Sequence, residues 1–327
     1  MKKALVTGGS GFVGGALIKE LRRRDVEVAT VCRGNQPLFD KLGVVHFQGD
    51  IRDPKVVVDA AKGCDVVFHV AAKAGIWGSW KDYYSINVTG TENILQACRA
   101  HDIPVLVYTG TPSVVFNGND IKGADESMPY AEKFLCHYAH TKTIAEKKVL
   151  AANSESLKTV SLRPHLVWGP GDTNLIPRLL DRGRRKLLKQ VGDGQNLVDV
   201  SYIDNVVDAH LLAAENLLSE GTASGKAYFI SQGDPVHLWG WINDLFGRLD
   251  IPKVEQHVSF RKAYAAGAVM EAIYSIFGVK KEPLMTRFLA EQLAKSHWFS
   301  IGNAKKDFGY QPKISTEEGI ERMLASL

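Results

Sequence analysis

The sequence predicts an α/β protein in which helices cover both faces of a doubly wound parallel sheet. Short apolar runs alternate with helical patterns through the first half of the chain, and a glycine-rich stretch at 8–15 separates the first run from the first helix. Strands that alternate with helices of about 10–15 residues are typical of parallel sheets. Beyond residue 170 the alternation loosens into mostly helical patterns. We therefore expect a sheet domain at 1–169, to which some later segments return, and a smaller, mostly helical lobe at 170–327.

The pattern of apolar residues predicts each element. Apolar runs predict strands at 4–7, 26–32, 44–47, 66–70, 105–108, 159–162 and 227–231. Amphipathic spacing predicts helices that end near 24 and 61, and others near 84–100, 135–152, 174–189, 204–218, 236–249, 262–278 and 284–297. Ligands of open α/β sheets bind at the carboxyl ends of the strands, so we expect the lobe to close over that edge.

Composition excludes several classes of protein. The 327 residues are 45% hydrophobic and 23% charged with a net charge of +4, which is ordinary globular usage and gives no reason to expect nucleic-acid binding. No run of about twenty apolar residues occurs, and the first residues show no secretory signal. The cysteines stand too far apart for a zinc site, at Cys32, Cys64, Cys98 and Cys136. We expect a reduced, soluble, cytoplasmic protein without a metal.

The glycine-rich stretch predicts a dinucleotide site. Residues 7–14 read Thr-Gly-Gly-Ser-Gly-Phe-Val-Gly and lie between a strand and a helix, which is the context that this motif requires. The glycines permit a tight turn and a close approach of the backbone to a pyrophosphate, and the free N–H groups of the helix N-terminus face the phosphates. The predicted binding residues are Gly8, Gly11, Phe12, Val13 and Gly14.

The residue after the second strand favours NADP(H) over NAD(H). That strand ends at Cys32-Arg33-Gly34, where recognition of a ribose 2′-hydroxyl would need an acidic residue. Arg33 suits a 2′-phosphate instead, because guanidinium and phosphate pair through two hydrogen bonds. A solvated surface arginine is the alternative. Asp50 and Ile51, after the third strand, are placed to flank the adenine, unless Asp50 only caps the helix that follows.

Tyr138 and Lys142 are the candidate reacting groups. They are four residues apart in a predicted helix, so their side chains leave the same face. A carbonyl that receives a hydride needs a proton, which a tyrosine can donate while a neighbouring ammonium stabilises the phenolate. The fifth strand ends in a hydroxyl-rich segment. From it we expect Thr111 to hydrogen-bond the substrate oxygen, with Ser113 and then Thr109 as alternatives.

These motifs together resemble those of a known family. The glycine motif, the Tyr138/Lys142 pair and Arg163-Pro164-His165 are similar to those of the extended short-chain dehydrogenase/reductases, in the 3β-hydroxysteroid dehydrogenase branch. Within that branch, several stretches resemble the 2-alkyl-3-oxoalkanoate reductases of bacterial long-chain olefin biosynthesis: 71–80, 168–172, 191–194, 259–264, 307–312 and 317–319. The resemblance implies a Rossmann-type fold. It also implies NADPH-dependent reduction of a 2-alkyl-3-keto acid to the 3-hydroxy acid, or the reverse.

Further contacts and partners are expected on the same basis. Cofactor contacts are expected from Ala71, Ala72 and Lys73 and from the backbone near Pro164. Substrate contacts are expected from Trp77, Ser113, His165 and Trp168. For His165, a structural role is favoured over a catalytic one. The resemblance also implies a homodimer through the helices near 84–100 and 135–152, and association with other enzymes of the same pathway.

One position departs from the family pattern. Relatives usually carry serine where this chain has Gly110, so the segment Thr109-Gly110-Thr111-Pro112 has one hydroxyl fewer. If the reacting hydroxyl belonged at position 110, the triad would be incomplete. We expect Thr111 to occupy that role.

Other functions remain open from the sequence. A sterol-4α-carboxylate 3-dehydrogenase acts on the same β-hydroxy acid unit and is the nearest alternative. A nucleotide-sugar epimerase would need many polar sugar contacts, whereas five tryptophans suggest an apolar pocket: Trp77, Trp80, Trp168, Trp239 and Trp241. A non-catalytic NADP-binding sensor would not need both Tyr138 and Lys142.

Two segments point to a role outside the cofactor site. Residues 263–279 are mostly apolar, are flanked by Arg261-Lys262 and Lys280-Lys281, and are too short and interrupted to span a bilayer. This composition fits a helix that covers the substrate cleft or rests on a membrane surface, or else a core helix of the lobe. The second segment is a basic cluster, which is either a solvated helix face or a surface that attracts an acidic substrate. Its members are Arg178, Arg182, Arg184, Arg185, Lys186 and Lys189.

Overall fold

The computed structural model describes residues 1–34 and 36–327. Its strands are β1 (Lys3–Thr7), β2 (Glu27–Cys32), β3 (Val45–Gln48), β4 (Val66–His69), β5 (Val105–Thr109), β6 (Ile121–Ala124), β7 (Lys158–Pro164), β8 (Val167–Trp168), β9 (Gln190–Val191), β10 (Leu197–Val198), β11 (Ser201–Tyr202), β12 (Lys226–Ile230), β13 (Val236–His237), β14 (His257–Val258) and β15 (His297–Phe299).

The helices alternate with the strands of the first half and dominate the second. They are α1 (Phe12–Arg23), α2 (Pro37–Leu42), α3 (Pro54–Ala61), α4 (Trp80–Tyr84), α5 (Gly90–Ala100), α6 (His137–Ala151), α7 (Leu175–Arg184), α8 (Ile203–Leu218), α9 (Leu238–Arg248), α10 (Phe260–Ile276), α11 (Arg287–Ala294), α12 (Gly302–Phe308) and α13 (Thr316–Leu324). A π-helical turn, Ser85–Thr89, interrupts the helix expected near 84–100. The apolar spacing did not predict α2, α12 and α13, which are short.

The main sheet is doubly wound. Within the described residues it holds seven strands in the order β12-β7-β5-β4-β1-β2-β3, and every neighbouring pair is parallel. The chain winds outwards from β1 in both directions, so the strand order reverses between β1 and β4. The register sets Thr7 opposite His69, and His69 opposite Tyr108. The residues that follow these three strands therefore meet at one edge, where open α/β sheets bind their ligands. This is the Rossmann-type fold that the sequence predicts.

Apolar cores cover both faces of the sheet, as the alternation of side chains along a strand requires. In β1, Leu5 belongs to the core that includes side chains of α3, α5 and α6, whereas Ala4 and Val6 belong to the larger core shared with α1 and α8. All three are fully buried. A strand buried on both faces is a short continuous apolar run, which is why the central strands were predictable.

The tryptophans expected at an apolar pocket include three that fill the larger core instead. Trp168 is fully buried, with its ring centroid 5.4 Å from that of Tyr202 and 5.6 Å from that of Trp241. Trp239 and Trp241 are buried in the same core. The expectation that Trp168 contacts substrate is therefore wrong, because its indole packs between core side chains.

Segments beyond residue 170 join the sheet as well as the lobe. Strand β12 pairs with β7, and α8 packs against α1, β5 and β7. A second sheet, with the order β13-β10-β15-β6 within the described residues, gives the lobe its own framework. The part of the chain that the structure describes includes no helix long and apolar enough to cross a bilayer.

A buried carboxylate fixes α6 to the sheet. Glu146 is fully buried and accepts hydrogen bonds from Tyr130 Oη at 2.8 Å and Ser161 Oγ at 2.6 Å. Arg163, itself 3% exposed, donates to the same carboxylate from Nη2 at 2.6 Å. Because Ser161 and Arg163 lie on β7, this cluster sets both the height and the rotation of α6 against the strands.

We expect Glu146→Leu to lower the free energy of unfolding by about 3–5 kcal/mol, because it leaves the Arg163 guanidinium buried without its counter-charge. Glu317→Leu is the matched control, since it breaks only an exposed, solvent-screened pair with Arg248 and should change stability far less. Urea unfolding at equilibrium measures both changes. Equal losses in the two variants would show that the Glu146 cluster does not anchor α6.

Candidate active site

The loop after β1 has the geometry of a phosphate cradle. Gly8 adopts a φ of +72°, and a Cβ there would meet the backbone of Ala71 at 2.9 Å. A Cβ on Gly14 would collide with the carbonyl group of Gly8. Helix α1 begins after Gly11, and its first turn, which includes Phe12 and Val13, carries no acidic residue and no side-chain cap. Its first N–H groups and the positive end of its dipole are thus left for an anion.

The adenine end of the predicted site carries two arginines with different surroundings. Arg33 follows β2 directly and is exposed. Arg52 makes a two-pronged ion pair with Asp50, with Nη2 at 2.8 Å, and this hydrogen-bonded guanidinium lowers the pKa of the Asp50 carboxyl. Asp50 does not cap the following helix, because Asp53 does so by accepting from the N–H of Lys55. Ile51 is buried against Gly90.

A buried hydrogen-bond chain links the ends of β1 and β4. Thr7 Oγ1 accepts from the N–H of Ala71 at 3.1 Å and lies 2.8 Å from His69 Nδ1. His69 Nε2 lies 2.9 Å from Thr91 Oγ1, which donates to the carbonyl of Asn87. Burial lowers the pKa of His69 to about 3, so the ring is neutral. It therefore donates from Nε2 to Thr91 and accepts at Nδ1 from Thr7.

Asn87 joins the segment after β4 to the helix that carries Tyr138. Its Oδ1 accepts from the N–H of Lys73 at 2.7 Å, and its Nδ2 donates to the carbonyl of Lys73 and to Thr141 Oγ1. The ammonium of Lys73 lies 5.2 Å from the centre of the Tyr83 ring. Ala72, between the two held residues, is exposed.

Lys142 is held at the end of β5. Its side chain is buried, Nζ donates to the carbonyl of Thr109 at 2.7 Å, and the ammonium lies 4.1 Å from the centre of the Tyr108 ring. Burial lowers the pKa of this ammonium to about 7. The Thr109 hydroxyl is 2.8 Å from His210 Nε2, so this hydroxyl already has a hydrogen-bond partner.

Thr111 is the hydroxyl residue that influences the pKa of Tyr138. Burial raises the pKa of Tyr138 to about 12, and the hydrogen bond with Thr111 opposes that rise. Thr111 Oγ1 also donates to Ser113 Oγ at 3.2 Å. A Cβ on Gly110 would point at Ser161 Oγ and Glu146 Oε2, 2.6 and 2.7 Å away. A side chain at position 110 would therefore enter the buried carboxylate cluster rather than approach Tyr138.

An apolar cluster surrounds Tyr138 on the lobe side. Its buried members are Val114, Val115, Phe116, Ile121, Cys136, Ala139, Phe229, Phe288 and Phe299, with Ile76 and Tyr138 packed against them. It is separate from the two cores of the sheet. The site therefore sets a phenol and two hydroxyls against hydrocarbon side chains, an environment that suits an apolar substrate with one polar reacting group.

The residues after β7 line a small cavity beside Ser113. His165 Nε2 lies 2.6 Å from His297 Nδ1, and His297 Nε2 lies 2.9 Å from the carbonyl of Gln292. Burial lowers the pKa of both imidazoles. His165, Ser113, His297 and Phe116 share the cavity wall. Pro164 immediately precedes His165, at the end of β7.

Trp77 lies at the outer rim of the site. Its Nε1 donates to the carbonyl of Val279 at 3.0 Å, and its ring meets that of Tyr274 edge-on. The loop after β4 is thus attached to the end of α10.

Sequence reasoning missed Asn87, the Thr7–His69–Thr91 chain and the apolar cluster. The stretch Asn87-Val88-Thr89-Gly90-Thr91 was a signal, since polar residues in a predicted buried helix need partners. The apolar cluster had no local signal. Phe116, Phe288 and Phe299 come from distant parts of the chain and meet only through the lobe's sheet.

Comparisons with known proteins agree with this geometry. The 3-beta hydroxysteroid dehydrogenase/isomerase family matches residues 5–260. The chain is 49% identical to a 2-alkyl-3-oxoalkanoate reductase of Stenotrophomonas maltophilia, over 99% of each chain. It is 33% identical to a decarboxylating sterol-4-alpha-carboxylate 3-dehydrogenase of Mus musculus, over 99% of this chain and 91% of that one. The crystal structure of gox2253 superposes with a TM-score of 0.80 at 25% identity, over 100% and 98% of the two chains.

Three features fit a nicotinamide dinucleotide: the glycine cradle, the uncapped N-terminus of α1, and Lys142 of α6, which is held on the carbonyl of Thr109. Taken with the match over most of its length, they lead to one conclusion. The chain belongs to the 3-beta hydroxysteroid dehydrogenase/isomerase family and is an NAD(P)-dependent oxidoreductase.

Proposed function

We propose that this chain is an NADPH-dependent reductase that converts a long-chain 2-alkyl-3-oxoalkanoic acid to the 2-alkyl-3-hydroxyalkanoic acid, reversibly, in hydrocarbon biosynthesis. The observation that carries the proposal is the 49% identity, over 99% of both chains, to a protein named for that reaction. The apolar cluster beside Tyr138 supports an alkyl substrate.

Tyr138 is the proposed proton donor. The bound cofactor would supply the hydride to the carbonyl carbon, and the Tyr138 hydroxyl would donate its proton to the carbonyl oxygen. With its pKa raised to about 12 by burial, the phenol stays protonated at neutral pH, as a general acid for reduction must. Thr111 would give the same oxygen a second hydrogen bond once its hydroxyl turned from Ser113 Oγ, to which it donates in this structure, towards the substrate.

Lys142 would support the phenolate that remains after proton transfer. Its ammonium is held on the carbonyl of Thr109, at the edge where the loop after β1 also ends. Two other donors on this ammonium are free to hold ribose hydroxyls. Loss of the Tyr138 proton would favour the protonated form of Lys142, so the two groups would titrate as a coupled pair.

The preference for NADPH rests on Arg33. Its side chain is exposed directly after β2, beside the loop that follows β1, where the cofactor's 2′-phosphate would lie. Arg52 is committed to Asp50, so Arg33 is the proposed reader of the 2′-phosphate. The loop residues Ala71, Ala72 and Lys73 and the backbone of Pro164 would hold the nicotinamide half.

Ser113, His165 and Trp77 remain proposed substrate contacts. The first two share the wall of the small cavity beside Thr111, and the third lies at the rim. His297 donates from Nε2 to the carbonyl of Gln292 and accepts at Nδ1 from His165. His165 Nδ1 is therefore an acceptor, and it would face a hydroxyl group of the substrate. The alkyl chains would lie on partly buried side chains at the margin of the apolar cluster, such as Ile76 and Leu135.

A sterol-4α-carboxylate 3-dehydrogenase is the second candidate, since the mouse enzyme of that name is 33% identical over nearly the whole chain. Its substrate carries the same β-hydroxy acid unit on a rigid ring system. Oxidation of a 2-alkyl-3-hydroxy acid and of a sterol carboxylate, each assayed with NADP⁺ and NAD⁺, separates the two functions.

Tyr138→Phe removes the proton donor without changing the ring's packing. We expect turnover to fall about 10²–10⁴-fold, while NADPH binding survives because the glycine loop is untouched. The absorbance change at the NADPH band measures turnover, and fluorescence titration measures binding. Tyr84→Phe, at an exposed phenol on α4, is the control. Near-normal turnover in Tyr138→Phe would show that Tyr138 is not the proton donor.

Arg33→Ala removes the guanidinium that would pair with the 2′-phosphate. NADPH should lose about 1.5–3 kcal/mol of binding free energy, as expected for a charge-assisted hydrogen bond, and NADH should lose much less. Paired dissociation constants for both cofactors give the comparison. Arg23→Ala, at the exposed far end of α1, should change neither. Equal losses for NADPH and NADH would show that Arg33 does not read the 2′-phosphate.

A further inference from the structure

Helix α10 is not a core helix, because only Ala263 and Gly267 of its residues are buried. Gly267 lies against the backbone at Thr286, which lets α10 pack closely on the start of α11. Glu271 pairs with Arg287 on the same side, at 2.7 Å. The other side of the helix carries large apolar side chains that are exposed.

That other side forms what we call the apolar ridge, made of Val269, Ile273, Ile276, Phe277, Val279 and Leu284. Ile276, Phe277 and Leu284 are 78%, 75% and 63% exposed. The helical members follow an i, i+4, i+7 spacing and so share one face. Large apolar side chains exposed together mark a binding surface rather than ordinary surface variation. Ile273 and Phe277 point to solvent, so they do not cover the substrate cleft.

Positive charge surrounds the ridge. Lys280 and Lys281 are exposed and have no carboxylate partner among residues 1–34 and 36–327. The two acidic residues of the segment are each neutralised, Glu271 by Arg287 and Glu282 by Arg178. The surface that a partner would meet here is therefore apolar, and the ammonium groups of Lys280 and Lys281 border it.

The contact between Arg178 and Glu282 also brings one end of the basic cluster of α7 to the ridge. Arg182, four residues after Arg178, lies on the same face of α7, and burial together with the charge of Arg178 lowers its pKa. Arg184, Arg185 and Lys186 follow, all exposed. Arg178 and, on the same face, Arg182 are thus near the apolar ridge, although Arg178 and Glu282 are 104 residues apart in sequence.

We propose that the apolar ridge and the cations around it seat this protein on an anionic lipid bilayer. An interfacial helix buries apolar side chains at the acyl boundary and places lysines and arginines at the headgroups, which is the arrangement of the ridge, Lys280-Lys281 and α7. The hydrogen bond from Trp77 to Val279 joins this surface to the loop at the rim of the active site. An alkyl substrate dissolved in the bilayer would thus leave it beside the site.

The proposal is tested by co-sedimentation of the full chain with vesicles, without substrate or cofactor, so the outcome does not depend on the proposed reaction. We expect binding to vesicles of phosphatidylcholine mixed with phosphatidylglycerol, and much weaker binding to phosphatidylcholine alone. Ile276→Ser with Phe277→Ser should lower the partition coefficient about tenfold, because it removes hydrocarbon that would enter the acyl region of the bilayer and leaves the core untouched. Lys280→Glu with Lys281→Glu should lower it by a similar factor, and added salt should reproduce that loss.

Val45→Ser with Leu218→Ser is the matched control, because it removes two exposed apolar side chains elsewhere on the surface. It should bind like the unaltered chain, and all variants should keep its melting temperature. Three results would overturn the proposal: no binding to anionic vesicles, equal binding by the ridge variant, or equal binding to both lipid compositions. A concentration-dependent dimer, lost only in the ridge variant on analytical ultracentrifugation, would also overturn it in favour of a second copy.

Discussion

The buried carboxylate of Glu146 holds α6 against β7, and the positions of Tyr138 and Lys142 depend on that attachment. Lys142 and Tyr138 lie one and two turns before Glu146 on α6, so the cluster with Ser161 and Arg163 sets where both of them point. The same cluster leaves no room for a side chain at Gly110. An ion pair of this kind adds little net stability compared with apolar packing, but its geometry is specific and its loss is costly.

A second constraint comes from the parallel sheet itself. Because the strands run in one direction, the glycine loop, the segment from Ala71 to Lys73 and the hydroxyls after β5 all lie at one edge. Asn87 then connects that edge to α6 through Thr141. The segment from Ala71 to Lys73 and the helix that carries Tyr138 are therefore parts of one hydrogen-bonded framework, so a substitution in one should shift the other.

The sequence predicts well whatever depends on local pattern. The strands of the main sheet are continuous apolar runs, and the helix predicted from the spacing of Tyr138 and Lys142 is α6. Trp168 was misjudged because an indole in a loop-like stretch can face either a ligand or the core, and only the packing of Tyr202 and Trp241 decides between them. The pairing of Asp50 with Arg52 and the meeting of α7 with the apolar ridge likewise depend on tertiary contacts that no local pattern records.

The measurement that tests the central claim most directly follows one hydrogen atom. The chain is incubated with NADP⁺ and a 2-alkyl-3-hydroxyalkanoic acid that carries deuterium at C3, and the cofactor is then analysed by mass spectrometry and NMR. If the site transfers hydride between this substrate class and the nicotinamide, deuterium will be found at C4 of the reduced cofactor. Reduced cofactor without deuterium, or no reduction while a sterol carboxylate is oxidised under the same conditions, would contradict the account.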